Sequence, residues 1–229
     1  MPEIVERAAD LYTIDHPLRV GPVPVGTRTT LVRLGSGALF VHSPGPLGPA
    51  GAAEIEALGP VAALVAPNCF HHLFLEENQR AFPGAEVHLA PKLSAKTRGR
   101  LEGAVLGDVA PALWADEIES HLVEGGPRVG EVAFLHRASR TLLLCDLVFN
   151  IRHCEATLPR WLLRANGMYG HFAPSRAFAH LLFRDRKGLR RSIDRILAWD
   201  FDRVIVPHGE IVESGGRSLL EEAFAHLPR

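Results

Sequence analysis

Four residues in this chain combine metal-ligating chemistry with a shared type of position: His71, His72, Asp146 and His208. Each stands at or just beyond the end of an apolar run. The runs are VAALVAPNCFHHLFL for the two adjacent histidines, TLLLCD for Asp146 and DRVIVPHG for His208. Proteins of the α/β class place their chemistry at the carboxyl ends of buried strands, so the spacing predicts that these three ends meet. Three imidazoles and one carboxylate suit Zn²⁺ or a similar borderline ion. The alternative is that the histidine pair caps a helix while Asp146 accepts backbone N–H bonds in the next turn. Adjacent residues on a regular helix point about 100° apart, so both histidines could serve one ion only from an irregular first turn.

Other reactive side chains carry weaker claims. Cys69 and Cys145 flank this chemistry, but each reads as a small buried hydrophobe before it reads as a thiolate ligand, and Cys154 has no special position. His42 and His136 end strands. His16, His88, His121, His180 and His226 read as surface or internally satisfied histidines. Asn150, His153, Trp161, Tyr169 and His171 fall in an irregular stretch after Asp146, where a pocket wall is expected, with packing the first role of the two aromatics. Glu210, two residues beyond His208, is either an orienting partner for an imidazole or a surface acid. Gly35-Ser-Gly is a turn without the strand–turn–helix context of a nucleophile elbow.

The elements that must position these residues follow from periodicity and turn chemistry. Residues 1–28 are rich in Pro, Gly and charge and predict an extended lead-in with one edge strand. Strands are expected at 29–33 and 38–42 around a glycine turn, then at 61–66, 86–90, 121–124, 130–136, 141–146 and 204–206. Helices are expected at 52–58, 71–82 with Asn68 as N-cap, 187–199 and 217–226. In the third of these, Leu189, Ile193, Ile196 and Leu197 recur at helical spacing. Residues 91–117 read as irregular cover for one sheet edge. This order is neither a clean βαβ series nor all-β. It implies a layered α/β protein with two mixed sheets packed together and helices outside, as one domain over 1–229.

Composition narrows the partners. The chain has 229 residues, 47% hydrophobic and 22% charged, with a formal net charge of -1. That balance argues against a general polyanion binder, and the arginines of RDRKGLRRSIDR alternate with acids as on a solvated helix face. No apolar run approaches the ~20 residues of a membrane span, and the first residues lack the pattern of a signal peptide. Three cysteines without a CxxC pair fit a reducing compartment. The expectation is a cytoplasmic protein that binds neither nucleic acid nor membrane and acts on a small molecule.

Several stretches together carry a family resemblance. TTLVRLGSGALFVHSP resembles the opening hairpin of the metallo-β-lactamase fold, with Ser43 where an acid often stands. VAPNCFHHLFL resembles that superfamily's HxHxDH stretch. GPRVGEVAFLH and TLLLCDLVFN stand for its next two motifs, and VIVPHGEIV resembles the closing strand with the last metal-binding histidine. More narrowly, PNxxHHLFL, HRxSRTLLxxD and VPHGEIV resemble the branch designated DUF4336. The resemblance implies an α/β (α+β) fold, a four-layer αββα sandwich of two mixed β-sheets flanked by helices.

It also implies a degenerate site. Ligands of the superfamily's first metal would fall at Pro67, Cys69 and Pro127, two of which have no donor side chain. Ligands of the second would fall at His71, in place of an aspartate, and at His72, Asp146 and His208. The implied protein holds one divalent metal, Zn²⁺ first with Fe²⁺ or Mn²⁺ as alternatives. It resembles a metal-dependent hydrolase with Asp146 at its catalytic centre. The competing readings are a metal-free binding or scaffold protein of the same fold and a mononuclear iron redox site.

Overall fold

Alternate residues of the apolar strands go to opposite faces, and this alternation builds the layers. Within VAALVA, Leu64 and Ala66 join one buried cluster while Ala63 and Val65 join another. Within VAFLH, Val132 and Phe134 face the second of these clusters, and Ala133 and Leu135 face a third. The computed structural model describes residues 3–177, 179 and 184–228. Its strands, in chain order, are β1 (Ile4–Ala8), β2 (Leu11–His16), β3 (Arg19–Val20), β4 (Val23–Pro24), β5 (Thr27–Arg33), β6 (Leu39–His42), β7 (Val61–Ala66), β8 (Glu86–Leu89) and β9 (Ala104–Val105). They continue as β10 (Ile118–Leu122), β11 (Val132–His136), β12 (Thr141–Leu143) and β13 (Arg203–Ile205).

One mixed sheet has the order β1-β2-β5-β6-β7-β8-β9, and the other has the order β10-β11-β12-β13. The first is antiparallel through β6 and parallel from β6 to β9, whereas the second is antiparallel until the parallel β12–β13 pair. Between them lies an apolar layer in which Phe40 meets Trp114 and Phe134 edge-on, at centroid separations of 4.9 and 5.6 Å. Each such aromatic pair adds about 0.5–1.5 kcal/mol beyond its buried area. Helices α1 (Gly48–Glu56), α2 (Leu75–Ala81) and α3 (Leu93–Lys96) sit on the outside of the first sheet, through Ile55, Leu75 and Leu93. Beyond the second sheet lie α5 (Arg186–Leu197) and α6 (Gly216–Ala223), and α4 (Thr157–Ala165) stands apart near the sheet ends. The four-layer αββα arrangement is the one implied by the sequence.

Helix α5 buries Leu189, Ile193, Ile196 and Leu197 as its periodicity requires, and the Asp185 carboxylate accepts the Gly188 N–H at its start. Its arginines turn outward and pair with Asp194, Glu124 and Asp108. The lead-in is more ordered than expected: β1 and β2 extend the first sheet, and β3–β4 form a separate hairpin. Pro and Gly in LRVGPVP masked that hairpin. Within the stretch expected to be irregular, β9 adds to the sheet edge and Trp114 is buried between the sheets.

His16, His88 and His121 are buried rather than at the surface. His121 bonds Asp108 at 2.8 Å. His136 contacts Ser139 Oγ at 2.7 Å, His226 is exposed, and His180 lies outside the described residues. His42 ends β6 against the Phe134 ring, and burial, reinforced by His71, pushes its pKa down to about 3 from 6.5. The folded protein therefore holds His42 neutral, while the unfolded chain takes up a proton below pH 6.5. Stability from this group is whole above that pH and falls as the pH drops towards 3, with a slope approaching ~1.4 kcal/mol per pH unit. Urea unfolding between pH 7 and 5 will show a shallower loss for His42→Phe than for the parent chain; equal slopes would refute this assignment.

Candidate metal centre

Strand β7 runs out at Pro67, and its end is tied to the second sheet by two backbone bonds: Val132 N–H donates to Pro67 O, and Cys69 N–H to Val129 O. Asn68 is fully buried there. Its Oδ1 accepts the N–H groups of Phe70 and His71 at 2.8 and 2.9 Å, which is what an N-cap side chain does. Regular helix does not follow at once. Residues 70–74 form successive turns, and α2 begins only at Leu75. This irregular turn points His71 and His72 in different directions.

His71 reaches inward. Its Nε2 lies 3.1 Å from His208 Nε2 and 3.6 Å from Asp146 Oδ2, and His208 Nε2 lies 3.5 Å from Asp146 Oδ1. Among the described residues, these three side chains form the group of donor atoms that could hold a metal ion, all within 4.8 Å of one another. His72 stays outside that group and lines the adjoining cavity. Burial, then the charge of Lys96, pushes its pKa down. Cys69 also turns away, with Sγ towards Pro91 O, and burial raises both its pKa and that of Cys145. Both behave as buried thiols.

The far sides of the two imidazoles are anchored. His208 Nδ1 lies 2.7 Å from the Gly26 carbonyl, which can only accept, so Nδ1 carries a hydrogen and, in the neutral ring, Nε2 presents a lone pair. His71 Nδ1 lies 2.7 Å from Ser43 Oγ. Two facing imidazole nitrogens at 3.1 Å either share one hydrogen, with the N–H of His71 donating to the lone pair of His208, or hold a metal ion between them. Bond lengths of about 2.0–2.1 Å with tetrahedral angles put donor atoms roughly 3.3 Å apart, close to the separations found here. The residues therefore fit a divalent ion. Ser43 holds φ +54, a sparsely populated conformation for a non-glycine residue, at the point where its hydroxyl meets His71. Gly209 is equally constrained: a Cβ there would lie 2.2 Å from Asn150 O.

Asp146 is buried. Desolvation alone would raise its pKa, but the charges of His71 and His208 and their hydrogen bonds outweigh it and hold the carboxyl well below the usual range. Asn68 Nδ2 donates to Asp146 Oδ2 at 2.8 Å. The residue that sequence reasoning missed is Glu131, fully buried at the entry to β11. Its carboxyl accepts the backbone N–H groups of Cys145 and Asp146, each at 2.8 Å. Those bonds explain why TLLLCD forms strand only over Thr141–Leu143: from Cys145 on, the backbone pairs with a side chain instead of a ladder. Burial, then repulsion from Asp146, push Glu131 up to about 8, so Asp146 carries the negative charge.

The remaining expectations divide. Asn150 donates its N–H to His208 O and its side-chain amide to Glu210 O, fixing the chain beside the cluster. Glu210 does not orient His208. It pairs at 2.9 Å with His153, which is exposed. Trp161 and His171 are exposed, and Tyr169 packs beside Arg164. The pocket wall after Asp146 is built instead by Phe149, Leu162, Leu163, Asn166 and Met168.

The profile of DUF4336, a domain of unknown function, matches residues 8–160. The chain belongs to that family. No curated protein matches the sequence. Among solved structures, a metallo-β-lactamase from Pontibacter korlensis superposes with TM-score 0.64 at 16% identity, covering 98% of each chain. One from Hirschia baltica gives TM-score 0.65 at 13% identity, covering 98% of this chain and 96% of that one. A flavo di-iron protein from Thermotoga maritima gives TM-score 0.65 at 14% identity, covering 98% of this chain and 62% of that one. At such identities the likeness shows the metallo-β-lactamase fold of this DUF4336 chain and nothing finer.

Glu131 yields a prediction. Glu131→Ala leaves two buried N–H groups without an acceptor, at roughly 1–3 kcal/mol each, and should lower the unfolding free energy by a sum of that order. Glu131→Gln keeps one acceptor oxygen and should lose less. Equal stability of the alanine variant and the parent in urea titration would remove Glu131 from this role.

Proposed function

We propose that this chain is a metallo-β-lactamase-fold protein of the metal-dependent hydrolase type, holding one divalent ion on His71, Asp146 and His208. The observation that carries the reading is the pair of Nε2 atoms facing each other at 3.1 Å beside a buried carboxylate, with both Nδ1 atoms anchored outward. Zn²⁺ suits this donor set. A divalent ion held there would supply Lewis acidity at a position left open by only three protein donors.

The chain's own residues do the rest. Gly26 O fixes the His208 tautomer, and Ser43 orients the His71 ring. Asn68 and the Glu131-bound backbone hold Asp146, so neither carboxylate oxygen has to reorganise when a substrate arrives. Asp146 is placed at the catalytic centre as the anionic donor and not as a proton carrier. His72, outside the cluster and favoured in its neutral form, faces the cavity where it can accept a proton from a bound molecule. At the positions corresponding to a first metal, the Lys96 ammonium bonds Cys69 O and that of Lys92 bonds Pro127 O. This supports a one-ion site.

One observation favours a second reading. With His72 outside the group, the donors are two histidines and one carboxylate, the set that also suits non-haem Fe²⁺. Elemental analysis of protein purified without an affinity tag separates these readings. The expected result is about one equivalent of zinc per chain, lost in His208→Ala and retained in His72→Ala. Bound iron together with oxygen-dependent redox activity would transfer the assignment to the second reading. No metal, and none taken up on adding Zn²⁺, Mn²⁺ or Fe²⁺, would leave a metal-free binding or scaffold protein. A hydrolysis screen over esters, lactones, thioesters and phosphodiesters follows from the first outcome.

A further inference from the structure

The cluster forms the floor of a cavity of about 700 Å³, a volume suited to a small organic molecule. Its walls have an unexpected composition for a site with so polar a floor. On one side, the β3–β4 hairpin contributes Val20 and Val23. On the other, α4 and the following turn contribute Leu162, Leu163 and Met168. The apolar surface continues outward: Val20 and Leu73, both on the lining, are 64% and 65% exposed. Exposed apolar side chains gathered at the mouth of a cavity mark it as a binding surface for apolar matter.

A cation breaks this apolar wall. Lys96, at the end of α3, lines the same cavity. One of its donors goes to Cys69 O, and its ammonium lies 4.3 Å from the centre of the Phe70 ring. An ammonium has three donors, of which Cys69 O takes one. Among the described residues, no arginine lines the cavity.

We propose that the cavity binds a monoanionic amphiphile, a molecule with an alkyl or aryl body and one carboxylate-like head. The head lies between Lys96 and the His71–Asp146–His208 cluster, and the body lies between the β3–β4 hairpin and α4. The inference deepens the proposed function and rests on that reading for the inner end of the head-group site. It assigns the choice of ligand to the apolar walls and the sign of its charge to Lys96. Esters and lactones of such acids are the corresponding substrate class: water adds to the acyl carbon as the acyl C–O bond breaks, leaving this carboxylate, a released proton and either a free alcohol from an ester or a tethered hydroxyl from a lactone.

The test is calorimetric titration of the full chain with n-alkyl carboxylates from butanoate to dodecanoate, below their micelle concentrations, alongside alkyl alcohols and alkylammonium ions of equal length. Affinity for the carboxylates should rise about three- to fourfold per added methylene until the cavity is filled. Lys96→Met should weaken every carboxylate roughly three- to tenfold and leave the dependence on chain length intact. Leu162→Asp, at a half-buried wall position, should flatten that dependence. Affinity independent of chain length, or alkylammonium ions binding as tightly as carboxylates, would overturn the proposal. The same titration on His208→Ala, with metal content measured in both proteins, keeps the two claims apart. A chain-length dependence in protein that takes up no metal removes the metal reading and supports the cavity assignment. One equivalent of metal without any chain-length dependence does the reverse.

Discussion

A buried negative charge, the Asp146 carboxylate, organises the candidate metal centre. An isolated carboxylate taken out of water costs several kcal/mol or neutralises itself. Here it does neither, because two imidazoles and the Asn68 amide surround it. Asn68 and His71 stand in one turn 78 and 75 residues before it, and His208 stands 62 residues after it. The charge can stay buried only if the ends of β7, β12 and β13 are brought to one place, and the two sheets are the means of doing that. Glu131 completes the arrangement from the backbone side by accepting the N–H groups of Cys145 and Asp146.

The sandwich and its attachments divide the work. The strands supply a rigid floor, since their ladders and the Phe40–Trp114–Phe134 layer leave little freedom at the strand ends. The walls come largely from parts of the chain outside the two main sheets: the β3–β4 hairpin, the turn at residues 70–74 and the segment that includes α4. Fixed chemistry on regular elements and ligand contacts on connecting segments is a common division, because connections can change without disturbing the core. The polar floor and apolar walls therefore have separate structural origins.

Much of this was legible in the sequence. Apolar runs ending in His71, Asp146 and His208 predicted that these side chains would meet, as they do, and the motifs around them identified the family that the profile match establishes. The buried face of α5 follows from periodicity, and the two mixed sheets follow from the order of elements together with the family resemblance. The errors have physical causes. Helix 71–82 began late because Asn68 caps a series of turns before α2 forms. TLLLCD shortened because a side chain replaced the ladder partner of its last residues. Glu210, adjacent to His208 in sequence, pairs with exposed His153 while a backbone carbonyl takes the orienting role.

What the sequence determined by itself is the set of elements, their faces and the donors available at three strand ends, because these depend on side-chain type and local period. What only the tertiary structure decided is which donors meet. His71 and His72 are chemically identical and adjacent, and a turn a few residues long sends one into the cluster and the other to the cavity wall. Glu131 is one acid among 26 acidic residues in the chain, and nothing local distinguishes it from a surface acid. Its role is a contact with backbone 14 and 15 residues away, and the apolar cavity is likewise formed by segments that touch only after folding. Local sequence sets what a residue can do, but convergence in space depends on how distant segments pack.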